Sequence, residues 1–387
     1  MKKLLILSFI FFQVLFSFAQ NNGNIIISGK VIDASNKKGI SFASVWIEGS
    51  FIGVSTNVDG SFIVNIPAKY KDANLNFTSV GFSSYKLSIH NTMNAENLEI
   101  SLDPKLITFN DVRISGKSLV LQRILRNVSE KINENYIQDP FSYQSYYKSE
   151  VLENDSLQKT NEAIVSIYDK DAYKRSSVLN TFKSINYKFT EARKSSKSLS
   201  IGDASTILDD VLSFDIVRNT RNVLDVHNIS KYDLKKEGEM LFEGDSIIVI
   251  SYNANSTDLP VIGQMGVKSY SGKIYINKSN YAVVKNELTI NASTLNELGK
   301  SMIAESPVVK DFEVNILTSY SKIKDYYYLR GISYDIKQDS KEIKTQLIPL
   351  KIKLTNPDIV VGRDYYEDKK FNENFWSSFS VLFVGEE

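Results

Sequence analysis

From Ile25 onward, apolar residues alternate with polar ones in short runs, and turn residues close the runs after about eight to twelve positions. A period of two puts successive side chains on opposite faces of an extended strand. Each strand therefore has one face to bury, and the elements have to assemble as sheet. Composition agrees: 21 Tyr and 21 Phe stand against 7 Pro in 387 residues, and aromatic side chains suit a pleated, half-buried surface. The chain has no cysteine, so apolar cores must hold the fold without disulfides.

Between residues 24 and 104, Ile25–Ile27, Val31, Val45–Ile47, Phe62-Val64-Ile66, Leu75–Phe77 and Leu87–Ile89 supply the apolar positions of short strands. Asp59-Gly60 sits between two of these runs and suits the positive-φ turn of a tight hairpin. Ser55, Asn57, Asp59 and Gly60 imitate the start of an EF-hand loop, but the twelfth position is Ile66 where a bidentate Glu is needed, so a hairpin turn is the reading. Four segments carry a resemblance: Gly29 to Asp33, Phe42 to Gly49, Gly53 to Phe62, and Ser79 to Phe82. In this order they resemble the carboxypeptidase-like regulatory domain, which implies a seven-stranded, transthyretin-like β-sandwich without a catalytic role. Asn57 departs from the family, which usually has Asp there.

Residues 105–140 read as a connector, with a last edge strand over Leu106 to Ser115 and a helix over 118–135. Leu119, Val120, Ile124, Leu125, Val128 and Ile132 recur at helical spacing, and Asp139-Pro140 ends the segment. In outer-membrane receptors with the same first domain a barrel of roughly 22 strands follows, and too little chain remains here for one. Residues 141–387 read as a larger antiparallel meander or half-barrel with a few helices. Its strands are expected over Tyr143 to Val151, Glu162 to Tyr168, Ser246 to Tyr252, Lys268 to Ile276, Tyr281 to Ile290, Phe312 to Tyr320, Tyr326 to Ile336 and Thr345 to Leu354. Residues 171–235 interrupt it as an irregular insert, with a basic stretch at Arg193 to Lys197 and a helix over Ala204 to Phe214. The hairpin Gly272 to Asn277 with Tyr281 to Glu287 is similar to one in LolA-like half-barrels, which implies a sheet able to shield an apolar ligand.

The start of the chain points to export. Lys2 and Lys3 precede an apolar run from Leu4 to Phe18, and Ser17 and Ala19 are small residues at the positions a signal peptidase reads. Residues 1–19 are thus expected to be a signal peptide that leaves Gln20 as the new terminus and no transmembrane helix in the mature chain. A chain without cysteine cannot be a lipoprotein. Asn-x-Ser/Thr triplets such as those at Asn76, Asn127 and Asn255 fit a bacterial envelope protein in which they carry no glycan. Formal net charge is +1 and becomes −1 without Lys2 and Lys3, which offers no field for nucleic acid.

Chemistry-bearing motifs are missing from the pattern. Of the two histidines, His90 leads into Asn91-Thr92-Met93 and His227 into Asn228-Ile229-Ser230, so neither opens a zinc-hydrolase motif. No nucleophile elbow, Walker loop or dinucleotide fingerprint occurs. Adjacent acids at Asp209-Asp210 and Glu367-Asp368 are the weak material for a glycosidase. The expectation is a non-enzymatic protein with no catalytic residue, metal or cofactor, resident in the periplasm or at the outer membrane. It would act as a binding or assembly module on an envelope protein partner, with peripheral outer-membrane contact left open. The alternative is a carrier of an acyl chain or other lipid in a curved sheet, and third stands an unrecognised hydrolase. Alternation puts Ile274 and Ile276 on one face with Val284, opposite Tyr275 and Asn277. Ile274, Ile276, Val284 and Leu208 are accordingly the candidates for lining an apolar groove beside the 204–214 helix, or for closing it as core.

Overall fold

The computed structural model describes residues 24–50, 52–105, 118–174, 185–194, 208, 211–219, 221–254, 266–293, 311–363, 372–379 and 382–384. The expected signal peptide and the Leu106 to Ser115 strand lie outside these residues, and the 204–214 helix lies only partly within them.

Seven strands form the N-terminal sandwich: β1 (Ile25–Asp33), β2 (Ser44–Ile47), β3 (Ile52–Ser55), β4 (Ser61–Ile66), β5 (Asn74–Thr78), β6 (Tyr85–Ser88) and β7 (Leu98–Leu102). One sheet runs β4-β1-β7 and the other β3-β2-β5-β6. Their inward residues, among them Ile27, Val31, Val45, Ile47, Val64, Ile66, Leu75 and Phe77, are fully buried and pack as one cluster. The Asp59-Gly60 turn forms as its sequence demands, with Gly60 at φ 84° and its N–H donating to Asn57 O. Buried Thr56 ties the sheet ends together: its hydroxyl donates to Ile40 O at 2.6 Å and accepts from Ala43 N at 2.9 Å.

Helix α1 (Leu119–Asn135) follows, with the Ser118 side chain accepting from Leu121 N as its cap. Leu121, Leu125, Val128 and Ile132 form its buried stripe, whereas Leu119 and Val120 remain exposed. Ten antiparallel strands then build the large sheet. They are β8 (Phe141–Glu153), β9 (Ser156–Asp169), β10 (Ile185–Lys194), β11 (Asp233–Phe242), β12 (Asp245–Ala254), β13 (Gly266–Asn277), β14 (Val283–Ser293), β15 (Asp311–Ile323), β16 (Tyr326–Gln338) and β17 (Lys341–Lys353). The seven from β11 to β17 pair in chain order as a meander, and β8-β9-β10 continues the sheet beyond β17.

Two of these strands correct the reading of residues 171–235 as one irregular insert. β10 buries Ile185, Tyr187 and Phe189, and β11 buries Leu234 and Met240. Each carries a bulge, at Phe189/Glu191 and at Lys236/Gly238, which resets the side-chain alternation within the strand. Arg193, expected in a loop, sits on β10, pairs with Glu162 and lies 5.0 Å above the ring of Trp376. Asn277, expected opposite Ile276, is buried and donates to Tyr327 Oη at 3.2 Å.

The sandwich docks on the outer face of the large sheet. Phe42 packs with Tyr146, Ile164, Ile348, Leu350 and Trp376 of the short C-terminal helix α2 (Glu373–Ser378). Arg330 Nε donates to Phe42 O at 3.1 Å, and Gln346 Oε1 accepts from Val58 N at 2.9 Å. A last strand, β18 (Leu382–Val384), pairs antiparallel with β3 and touches β17 at Lys351, so the two sheets share hydrogen bonds. Phe42 lies over Gly331, where a Cβ would come within 2.6 Å of the ring. Gly331→Leu should therefore push the sandwich off the sheet at a loss of about 1–3 kcal/mol. Thermal unfolding is expected to shift down and to split into two transitions, and an unchanged single melt would contradict this docking.

Candidate functional site

The inner face of the ten-stranded sheet is where the predicted groove residues lie. Ile274 and Ile276 on β13 face Ile250 and Ile248 across the β12 ladder. Ile274, Ile276 and Leu208 are 0% exposed and Val284 is 4% exposed. All four belong to one cluster with the apolar stripe of α1. Helix and sheet are also joined by polar contacts, since Asn135 donates to Asn280 O at 2.8 Å and Tyr136 Oη to Val283 O at 2.8 Å.

Between β10 and β11, the described residues 211–219 and 221–232 pack on this face through Val211, Phe214, Val217, Val223 and Leu224, and their buried polar groups are satisfied by a succession of side-chain turns. Asp215 accepts from the N–H of Val217 and Arg218, Asn219 donates to Ser213 O, and Asn222 donates to Ile216 O while accepting from Leu224 N. Asp and Asn can cap neighbouring backbone in this way, so the segment can be buried without regular structure.

Sequence reasoning missed the charged centre of this layer. Arg218 forks onto both carboxylate oxygens of Asp169, the last residue of β9, with Nη2 to Oδ1 at 2.7 Å. Asp169 also accepts from Ala172 N at 2.9 Å. Burial works against the charge on Arg218, but the adjoining Asp169 carboxylate outweighs it and holds the guanidinium protonated. Asp215, buried beside the pair, accepts from Tyr320 Oη at 2.5 Å, and burial raises its pKa above the ordinary carboxylate value. The nearby hydroxyls of Tyr136, Tyr173 and Tyr320 are pushed up by burial first and by Asp215 second. A cavity of about 20 Å³ remains among Phe141, Tyr143, Tyr173, Asp215 and Arg218. That volume is on the order of a single water, which leaves no room for a substrate. The available signal was an Asp-x-x-Arg pair, Asp215 and Arg218, at the end of the apolar run from Val211 to Val217.

The outer face offers a different surface at its far end. Two cross-strand rows, Lys235–Ser251–Lys273–Glu287 and Asp233–Asn253–Ser271–Thr289, run over β11 to β14. Together they line an open recess of about 570 Å³. Glu237 accepts from Ser251 and Lys235 beside it, and Glu287 pairs with Lys285. Burial opposes ionisation of both acids, but Ser251 and Lys235 at Glu237, and Lys285 at Glu287, hold their pKa values below the ordinary range. His227 is exposed, and no group of three His, Asp or Glu side chains suited to a metal occurs among the described residues.

Residues 27–114 match the family model of the CarboxypepD_reg-like domain, so the sandwich is a domain of that class. No curated protein matches the chain. Among solved structures, an outer membrane lipoprotein-sorting protein domain from Vibrio parahaemolyticus is 9% identical, with 65% of this chain and 95% of that chain covered at a TM-score of 0.26. A LolA superfamily protein from Nitrosomonas europaea is 11% identical over 58% of this chain and 90% of that one, at a TM-score of 0.24. A membrane-associated protein of unknown function from Bacteroides fragilis covers 84% of this chain and 97% of its own at 10% identity and a TM-score of 0.16.

Two measurements test the electrostatics. Removing one partner of a buried pair leaves the other charge uncompensated, so Arg218→Met and Asp169→Asn should each destabilise by about 3–5 kcal/mol. The double variant should lose much less than the sum, and additive denaturant midpoints would refute the coupling. Asp335 on β16 stands opposite Asn315 and Lys344, and burial pushes its pKa up to about 7 in spite of Lys344. The folded chain then holds a proton that the unfolded chain releases above roughly pH 4. Stability from this group falls as pH rises from there to about 7 and is level above it. Asp335→Asn should remove that fall and raise the melting temperature at pH 8 relative to pH 5.

Proposed function

We propose that this is an exported protein of the bacterial envelope that works as a non-catalytic binding or assembly module through its β surfaces. The observation that carries this reading is the filled inner face. Ile274, Ile276 and Leu208 are 0% exposed, and the cavity beside Arg218 is about 20 Å³, whereas ligand sites for small molecules measure roughly 300–1,000 Å³. Side chains that a carrier would turn toward an acyl chain are here the core on which α1 and the 211–232 segment rest. Among the described residues, an accessible feature of that size is instead the open recess over β11 to β14, where Lys235, Lys273, Glu287, Asn253 and Thr289 stand beside Leu234 and Tyr252, a mixture of apolar stems and polar ends that suits contact with a protein surface. A sandwich of a non-catalytic class supports the same reading, and periplasmic residence with an envelope protein as partner follows from it.

The Ile276→Asp variant separates this from the carrier reading. As core, the position cannot take an unpaired charge, and the large sheet should unfold at a cost of several kcal/mol. A folded Ile276→Asp protein that had lost a copurifying lipid would overturn the proposal. Co-purification from intact envelopes should yield a protein partner, and Lys273→Glu in the recess should release it while the melting temperature stays unchanged.

A further inference from the structure

The seam between the sandwich and the large sheet holds a constellation that the docking does not use up. On the β15–β16 ladder the register slips, with Ser319 opposite Gly331 and Tyr320 opposite Leu329, so Arg330 is the extra residue of a bulge. A bulge re-aims the side chain it carries. Gly331 faces Phe42 on the outer side of the sheet, and Arg330 reaches the same side, where Nε donates to Phe42 O and Nη1 to Ser321 Oγ at 2.9 Å. Both acceptors are neutral. Among the described residues Nη2 has no acceptor and the guanidinium forms no ion pair. Loss of water around this half-buried cation lowers its pKa to about 10, although Glu243 works the other way, which is the behaviour of a charge without a close partner.

Hydroxyls collect around it in excess of their partners. Ser319 comes from β15, Ser44 and Thr78 from facing positions on β2 and β5, and Ser79 from the residue after β5. Ser79 and Ser319 are each 8% exposed, yet neither Oγ has a hydrogen-bond partner among the described residues. Thr78 Oγ1 is shut off from solvent in the same condition. With Arg330 these groups line a cavity of about 20 Å³, and its lining contains no carboxylate. The other cation of the lining, Lys285, is committed to Glu287 and to the ring of Tyr275.

Buried hydroxyls without partners are rare in folded proteins, because each gives up its bonds to water and gains none in return. A water molecule would satisfy them but would leave the positive charge of Arg330 unmatched. A small anion answers both needs, since O–H and N–H groups alike donate to it and its charge offsets the guanidinium. The volume, on the order of one water, admits a monoatomic ion and excludes phosphate. We infer that Arg330, Ser79 and Ser319 bind a single chloride ion in the seam, and that the ion helps to hold the sandwich on the sheet. The inference does not depend on the envelope reading.

Chloride NMR linewidths with the full chain test it, because an ion that exchanges between the seam and bulk water broadens the chloride resonance. Excess broadening is expected with the native chain and should be relieved by bromide. Ser319→Ala should weaken chloride binding about tenfold, and Arg330→Gln should abolish the broadening. A second readout is the thermal melt at constant ionic strength, with chloride replacing gluconate, an anion too large for the cavity. Chloride should raise the native melting temperature in a saturable way and leave that of Arg330→Gln unmoved. In gluconate Ser319→Ala should melt no lower than the native chain, which verifies its fold. No excess broadening, with equal melts in chloride and gluconate, would overturn the inference and mark an ordered water. Broadening that survives both Arg330→Gln and Ser319→Ala would overturn it too, since the ion would then sit elsewhere on the chain.

Discussion

The inner face of the ten-stranded sheet sets the terms for everything else, because a sheet of that width with one apolar side cannot stand uncovered in water. Helix α1 covers part of it with Leu121, Leu125, Val128 and Ile132. Residues 211–219 and 221–232 pack on it as well, and their turns need something stronger than an apolar stripe to fix their position. The fork of Arg218 on Asp169 supplies that anchor. It ties the cover to the end of β9, while Asp215 with Tyr320 ties it to β15. Buried pairs of this kind add little net stability over apolar packing, but a misplaced cover would leave charges unpaired at a cost of about 3–5 kcal/mol. The pair therefore discriminates against wrong arrangements of the cover more than it strengthens the right one.

With that face filled, the outer face carries the internal docking and, on either side of it, rows of exposed polar side chains. The sandwich and α2 occupy its middle, through Phe42 on Gly331 and Trp376 beside Arg193. The β11 to β14 recess lies to one side, and the cross-strand row Lys351–Gln144–Ser166–Lys188 over β17, β8, β9 and β10 lies to the other. Docking depends on the absence of a side chain at Gly331 and on the half-buried Arg330, which donates to Phe42 O. These groups hold the sandwich in one orientation and leave both flanks of the sheet accessible.

Much of this architecture was legible because period-two alternation is a local signal. The sandwich, α1 and the meander from β12 to β17 could each be read from their own residues. β10 and β11 could not, since each contains a bulge that shifts the phase midway and since Lys188, Lys235 and Lys236 interrupt their few apolar positions. The charged centre was illegible for another reason. Arg218 and Asp169 are 49 positions apart, and no spacing rule joins residues that meet only when a sheet closes. Phe42 and Arg330, 288 apart, met in the same way. Alternation identified Ile274 and Ile276 as inward residues, but whether an inward residue lines a groove or fills a core depends on what covers it, and that cover lay in the stretch with the weakest local pattern.

The burial of Ile274, Ile276, Val284 and Leu208 also bears on how such a sheet can change use. A carrier needs its apolar face to be open in the absence of ligand, and so needs a cover that can move. Here the cover is held by a bidentate ion pair, by a carboxylate–tyrosine bond at 2.5 Å and by a run of Asx turns. Displacing it would expose Arg218, Asp169 and Asp215 together with the apolar cluster, and moving the segment would break all of these contacts at once. A sheet closed in this manner is a rigid platform. Function on a rigid platform depends on side chains that can change without disturbing the core, and the outward rows of lysine, carboxylate and hydroxyl on both flanks meet that condition.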